Sequence, residues 1–231
     1  VPNQPGYIPL QVGAEGKESL GYLADNTGDN ISRKNANYCE LTGLYWIWKN
    51  TNDQYKGLVH YRRYFGVENL ISNSWSIYAH NELMAYLEEA DIILPREEVF
   101  KENAKSELLI SCCSNQIFED LHAIVKEKQP SYEKDFCEFF SGNKSVLFNM
   151  MFCRSEVFDS YSHWLFDILF ELEKETDLSV LSDYHKRLYG FLAERLLNVW
   201  VNHNNLKVNL IRRRVSNQIL FDLKNKIRNE I

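Results

Sequence analysis

The sequence predicts an α/β domain with a mostly parallel sheet flanked by helices. Three observations lead there. Short, dense apolar runs such as DIILPR (91–96) alternate with amphipathic stretches such as VFDSYSHWLFDILFELEKE (157–175), the order expected of strand–helix–strand units. Of the 231 residues 45 % are apolar and 13 % aromatic, enough for one sizeable core. No linker of Pro, Gly or Ser divides the chain, so one domain with an extension accounts for its length.

Residues 1–30 are rich in Gly, Pro, Asn and Asp and read as loop with a short extended piece. NISRKNANYCELTGLYWIWKN (30–50) reads as one helix. Ser32 supplies its N-cap, and Leu41, Leu44, Tyr45 and Trp48 recur at helical spacing. YKGLVHYRRYF (55–65) follows as a strand, with 57–60 expected as a central strand of the sheet. NELMAYLEEA (81–90) is a short helix, and DIILPR a buried strand ended by Pro95. IFEDLHAIVKEKQP (117–130) is a helix closed by Pro130, and SVLFNMMFCR (145–154) has the apolar density of a buried strand. Two long amphipathic helices follow at 157–175 and 182–205. LKVNLIRRRV (206–215) reads as a short strand with a basic turn, and the last dozen residues read as helix.

The net charge of −6 is unevenly placed. Residues 207–231 hold seven basic and two acidic side chains, so 1–206 carry −11. An acidic body argues against nucleic acid as a partner. The basic, amphipathic tail permits contact with an anionic membrane surface. The division is therefore a domain at 1–206 and a basic C-terminal extension at 207–231. The five cysteines have no metal-ligand spacing, which suits a reduced, cytoplasmic protein. No apolar run approaches the ~20 residues of a membrane span.

Three places could carry chemistry. In HYRRYF, His60, Arg62 and Arg63 stand where a strand ends, the usual place for a ligand in an open α/β sheet. Guanidinium forks match phosphate oxygens, and a surface ion pair is the plainer reading. Alternation sends Arg62 and Arg63 to opposite faces, with His60 on the side of Arg62. In DNTGDNIS (25–32), Asp29, Asn30 and Ser32 surround Gly28 ahead of a helix N-terminus, where backbone N–H groups favour an anion. An ordinary Asx turn with a cap competes with that reading. On the 182–205 helix, Asp183, Arg187, Gly190 and Glu194 share a polar face with a gap at the glycine. An exposed Asp183–Arg187 pair is the bland version. Arg195, near the apolar face, needs a buried carboxylate or a ligand. No glycine fingerprint, P-loop, zinc site or Asp-x-Asp is present at these positions.

Taken together, DNTGDNIS.KN..YCELTGLYWIWKN, YKGLVHYRRYF, FNMMF (148–152), YSHWLFDIL (161–169) and RLYGFLAERLLNVW (187–200) resemble a bacterial family of capsular, O-antigen and exopolysaccharide gene clusters. That family was long known as a domain of unknown function and is associated with glycosyltransferases, including galactofuranosyl transfer. The resemblance implies a GT-A-type fold, a UDP-sugar donor with galactofuranose or galactose as the first guess, and a glycan or lipid-linked acceptor. It implies work in the cytoplasm, at the inner face of the membrane if the tail docks there. Members begin with a strand carrying a His-Lys pair, which is expected to be missing ahead of GYIPLQVGA here. The alternative is a non-catalytic nucleotide- or sugar-binding subunit that keeps the fold.

The resemblance also implies roles. Asn30, Ser32, Asn35, His60, Arg62 and Arg63 fall on the donor side, and Asn149, Asp183 and Arg187 on the acceptor side. Arginines in place of an Asp-x-Asp imply a reaction that needs no metal, with Mn²⁺ or Mg²⁺ as the alternative. Inversion needs a carboxylate base, for which Glu194, Asp29 and Glu40 are candidates in falling order.

Overall fold

The computed structural model describes residues 4–69 and 74–215. Elements follow in chain order. Two short parallel strands, β1 (Leu10–Gln11) and β2 (Leu23–Ala24), organise the N-terminal loop. The stretch predicted as one helix over 30–50 is broken. A 3₁₀ turn at Ser32–Lys34 leads into α1 (Asn35–Tyr38) and then α2 (Leu41–Asn50). The break is Cys39, whose φ of 52° is incompatible with a continuous helix. Ser32 is not a cap: its buried hydroxyl donates to Asp25 Oδ1 at 2.5 Å.

The segment read as one strand over 55–65 is two. β3 (Tyr55–Leu58) ends, His60 and Arg63 exchange both backbone hydrogen bonds at 3.1 Å, and β4 (Arg63–Asn69) begins. Tyr61 and Arg62 occupy the tip of a tight turn, so strand alternation does not apply to Arg62 and Arg63. β4 pairs with β5 (Ser74–Ile77). Then come α3 (His80–Tyr86), β6 (Ile92–Pro95), β7 (Glu98–Val99), α4 (Ala104–Ser111), α5 (Asn115–Lys128) and α6 (Glu133–Ser141). The 145–154 segment is also divided, into β8 (Lys144–Ser145) and β9 (Met151–Arg154) around an irregular loop. The chain continues through α7 (Ser155–Glu175), α8 (Leu188–His203), β10 (Val208–Ile211) and β11 (Arg213–Val215).

The main sheet has the order β10-β6-β9-β3. β10 runs parallel to β6, while β9 is antiparallel to both β6 and β3. β3, β6 and β10 therefore point the same way and β9 alone opposes them. The sheet is mixed rather than mostly parallel by ladder, because β9 enters directly from a loop with no crossover helix. β3, expected near the centre, is an edge strand among the described residues. β10 shows that the segment set apart as an extension from residue 207 begins inside the sheet. The helix expected over the last dozen residues lies outside the described residues.

Both faces of the sheet are covered. Ile92 and Leu94 enter the main core with Met151 and Cys153, while Ile93 joins a smaller cluster with Phe65, Leu83, Leu87, Met150 and Ile211. Double burial explains the unbroken apolar run of β6. α7 presents Phe158, Tyr161, Leu165, Ile168, Leu169 and Leu172 to the main core, all fully buried. Each such side chain stabilises by about 1.5–3 kcal/mol relative to exposure. The apolar face foreseen on α8 is real: Leu188, Leu192, Leu196 and Val199 are fully buried. The helix starts at Leu188 rather than Ser182, after a 3₁₀ turn at His185–Arg187. Among the described residues no helix is long and apolar enough to cross a membrane.

Candidate functional site

The carboxyl ends of β3, β6 and β10 lie at one edge of the sheet, and the polar groups converge there. Leu58 at the end of β3 pairs with Met151 at the start of β9. This sets His60, just past β3, beside Phe148 and Asn149, just before β9. His60 Nε2 donates to the Phe148 carbonyl at 2.5 Å. A carbonyl only accepts, so this nitrogen carries the proton. The same nitrogen lies 3.7 Å from Glu40 Oε1. Burial holds His60 below its ordinary pKa, Glu40 pulls the other way, and Arg63 adds to the depression.

Glu40 stands just ahead of α2 and accepts from Asn149 Nδ2 at 2.8 Å. That amide also donates to the Gly190 carbonyl at 3.0 Å. Asn149 is fully buried, and its Oδ1 has no hydrogen-bond partner among the described residues. Phe148 and Asn149 have φ of 79° and 49°, a left-handed pair that aims these groups inward. Conformations of this kind each cost about 1–3 kcal/mol and persist where the surroundings hold them. Here the holder is α8. The Phe148 N–H donates to Glu194 Oε1 at 3.0 Å, and Val146 N–H donates to Asn198 Oδ1 at 2.8 Å.

Glu194 is the deepest carboxylate of the cluster. Its second oxygen accepts from Arg195 at 2.7 Å, and Arg195 also binds Glu107. Arg195 thus has the carboxylate partners its position demanded, both partly buried. Burial pushes the Glu194 carboxyl up to about 7, with Glu40 adding to the rise and Arg195, the Phe148 N–H and Arg63 resisting it. Arg63 is half-buried, its guanidinium over the Phe148 ring at 4.5 Å. Arg187 donates from Nε to Cys39 Sγ at 3.3 Å and lies 5.3 Å from the Phe191 ring centroid. It is close enough to influence both His60 and Cys39.

Six of the candidates read from the sequence therefore meet: Glu40, His60, Arg63, Asn149, Arg187 and Glu194. The others do not. Arg62, expected to face a ligand, is exposed at the turn tip, 4.7 Å over the Tyr61 ring. Asp29 accepts from Tyr45 OH at 3.1 Å, and its backbone pairs with the Asn50 side chain. Asn50 ends α2 and Glu40 precedes it, so Asp29 sits about 15 Å along the helix from the cluster. Asn30 closes an Asx turn, donating to Gly28 O and accepting from Ser32 N–H. The 25–32 turn is internally satisfied because Asp25, fully buried, takes the N–H groups of Gly13 and Ala14 and the Ser32 hydroxyl. Asn35 donates to Cys39 O at 2.7 Å and so shapes the turn ahead of Glu40. Asp183 is exposed and pairs with Lys186, not Arg187. The gap at Gly190 is filled: a Cβ there would lie 3.2 Å from Cys39 Cβ and Sγ.

Sequence reasoning missed Phe148, Cys39 and Arg213 as parts of the site. An Asn inside an apolar run was the available signal for the left-handed pair at 148–149, since Asn tolerates that region. Arg213 lies 4.3 Å over the same Phe148 ring. Nothing local to its sequence separates it from the neighbouring arginines. Among the described residues no three His, Cys, Asp or Glu side chains gather as a metal ion requires. Two surface depressions lie away from this cluster. One, about 580 Å³, is lined by Asp135, Glu138 and Asn202, and the other, about 290 Å³, by Phe118, Phe136 and Cys137.

Comparison with known proteins agrees with the fold. The family model described as "Domain of unknown function (DUF4422)" matches residues 1–205. No curated protein matches the chain. Among solved structures the chain is similar to the apo structure of the WbbM bifunctional glycosyltransferase, with a TM-score of 0.83 and 28 % identity. The match covers 94 % of this chain and 43 % of that one, so the chain spans less than half the length of that relative.

Proposed function

This chain belongs to the DUF4422 family, and from that premise we propose that it is a glycosyltransferase domain. Its donor is a UDP-sugar, with galactose in furanose or pyranose form the first choice. Its acceptor is a glycan or lipid-linked glycan of a bacterial surface polysaccharide. The similarity to a bifunctional glycosyltransferase over 94 % of this chain supports the reaction class. The observation that carries the reading is the juxtaposition of a buried carboxylate near neutral pKa, Glu194, with the half-buried Arg63 at the carboxyl ends of three strands.

In this reading the acceptor hydroxyl gives its proton to Glu194, its oxygen bonds to the anomeric carbon, and the bond from that carbon to the diphosphate breaks. A base is most effective with a pKa near the working pH. Glu40, with Asn149 donating to one of its oxygens and His60 3.7 Å from the same one, is the second candidate base. The departing diphosphate gains charge, which the Arg63 guanidinium offsets without a metal. Arg187 lines the acceptor side, and the fully buried Asn149 holds Glu40 from behind.

The test is a panel of UDP-sugars scored first by protection against thermal unfolding and then by sugar transfer, with and without EDTA. One UDP-sugar should raise the melting temperature, because a ligand of the native state stabilises by mass action. Transfer should survive EDTA. Binding of UDP with neither transfer nor hydrolysis for any sugar would instead indicate a non-catalytic subunit. Strict dependence on Mn²⁺ or Mg²⁺ would overturn the role given to Arg63.

A further inference from the structure

Two guanidinium groups share one aromatic ring at the end of the sheet. Arg63 Cζ lies 4.5 Å and Arg213 Cζ 4.3 Å from the Phe148 ring centroid. The strand register explains the meeting. β11 runs antiparallel to β4, with position 215 opposite Arg63 and Arg213 opposite Phe65. Arg213 is two positions from the partner of Arg63, so both side chains leave the same face of the ribbon as diagonal neighbours. Each also follows the carboxyl end of a main-sheet strand, Arg63 after β3 and Arg213 after β10.

Like charges in such an arrangement repel, and here the repulsion is only partly answered. Arg213 donates to Glu98 at 2.6 Å on one side. Among the described residues Arg63 has no carboxylate within salt-bridge distance, and Glu194 and Glu40 act on it from further away. The Glu194 oxygens already hold the Phe148 N–H and Arg195. Burial first, and then the charge of Arg213, depress the Arg63 pKa. The backbone that carries the shared ring is fixed, since the Phe148 N–H and carbonyl are tied to Glu194 and His60. Its face attracts cations but cannot neutralise them.

We propose that Arg63 and Arg213 form a two-armed cradle for a diphosphate, with both guanidinium groups seated against the Phe148 ring. Two planar forks present paired donors to two adjacent sets of phosphate oxygens, which a single carboxylate or phosphate cannot fill. The assignment of that diphosphate to a nucleotide-sugar rests on the glycosyltransferase reading; the cradle itself does not. A lipid-linked diphosphate offers the same chemistry from the acceptor side.

Titration calorimetry with inorganic pyrophosphate, UDP, uridine and farnesyl diphosphate tests this. The wild-type chain should bind pyrophosphate, and Arg213→Gln should weaken that binding about tenfold or more. Uridine binding should not change. Arg213→Gln also breaks the contact with Glu98, so Glu98→Gln is the companion: it frees Arg213 and should leave pyrophosphate binding intact or tighter. Displacement of pyrophosphate by UDP assigns the cradle to the donor, and displacement by farnesyl diphosphate alone assigns it to the acceptor. Either supports a diphosphate site. No pyrophosphate binding by the wild type overturns the proposal. So does unchanged affinity in a folded Arg213→Gln chain, or equal weakening by Glu98→Gln. Pyrophosphate binding through Arg213 without any sugar transfer would sink the transferase reading and leave the cradle standing.

Discussion

Replacing Glu194 by Gln should flatten the pH dependence of stability. The carboxyl is 14 % exposed and hydrogen-bonded by the Phe148 N–H and Arg195. Burial nonetheless lifts its pKa from 4.5 to about 7. A raised folded-state pKa means that the native chain binds more protons than the unfolded chain between those values. The stabilising contribution is therefore complete below pH 4.5 and is lost as pH rises through about 7. At about 1.4 kcal/mol per pKa unit the loss is about 3 kcal/mol. Urea unfolding at pH 5, 6, 7 and 8 would read it as a slope that the wild type has and Glu194→Gln lacks. The difference between the two profiles is the quantity to use. His60, whose depressed pKa acts in the opposite sense, is present in both and largely cancels. Gln loses one hydrogen bond, because an amide cannot accept from both donors, but that shifts the whole curve rather than its slope. In the transfer assay, activity should rise to a plateau above about pH 7 in the wild type, and the variant should lose about 10²–10⁴-fold. Parallel stability profiles for the two proteins would refute the environment deduced for Glu194.

Two further outcomes follow from the geometry. Arg63→Lys should lower turnover about tenfold, since lysine has no planar fork. Arg62→Lys, exposed on Tyr61, should leave both turnover and melting temperature within error. Steady-state kinetics and melting curves of the pair decide this, and equal effects would mean the turn at 60–63 is misassigned. Asp25→Asn should destabilise by about 2–4 kcal/mol in denaturant unfolding without changing donor affinity, because a neutral amide cannot satisfy all three donors now on the carboxylate. A drop in affinity larger than the drop in stability would return the 25–32 turn to the site.

Helices α5, α7 and α8 were legible because burial repeats along them, whereas α4 and α6 were not foreseen. α5, α7 and α8 carry apolar residues at helical spacing, and their ends fall near expected caps and prolines. β6 was legible because both its faces are covered. The misreadings share a cause. At Cys39, at 60–63 and at 148–149 the chain takes a local conformation that composition does not encode, inside a stretch whose apolar pattern runs on through it. Periodicity reports which side of an element is buried, and it passes over a single residue that turns left-handed. These three breaks are also where the cluster forms. Cys39 turns the chain so that Glu40 faces inward, the 60–63 turn brings His60 and Arg63 to one side, and the Phe148–Asn149 pair inserts between them. A continuous helix or strand at any of the three would point these groups apart. Of the candidates that failed, Asp29, Asn30 and Ser32 were chosen for clustering in sequence and Asp183 for its place on a helix face, and their polar atoms are satisfied by other partners. The candidates that met come from segments up to 154 residues apart, Glu40 to Glu194. What joins them is tertiary pairing: the end of β3 and the start of β9 bring His60, Arg63 and Asn149 together at one end of the sheet, and α8 and the turn at Cys39 bring Glu194, Arg187 and Glu40 against them.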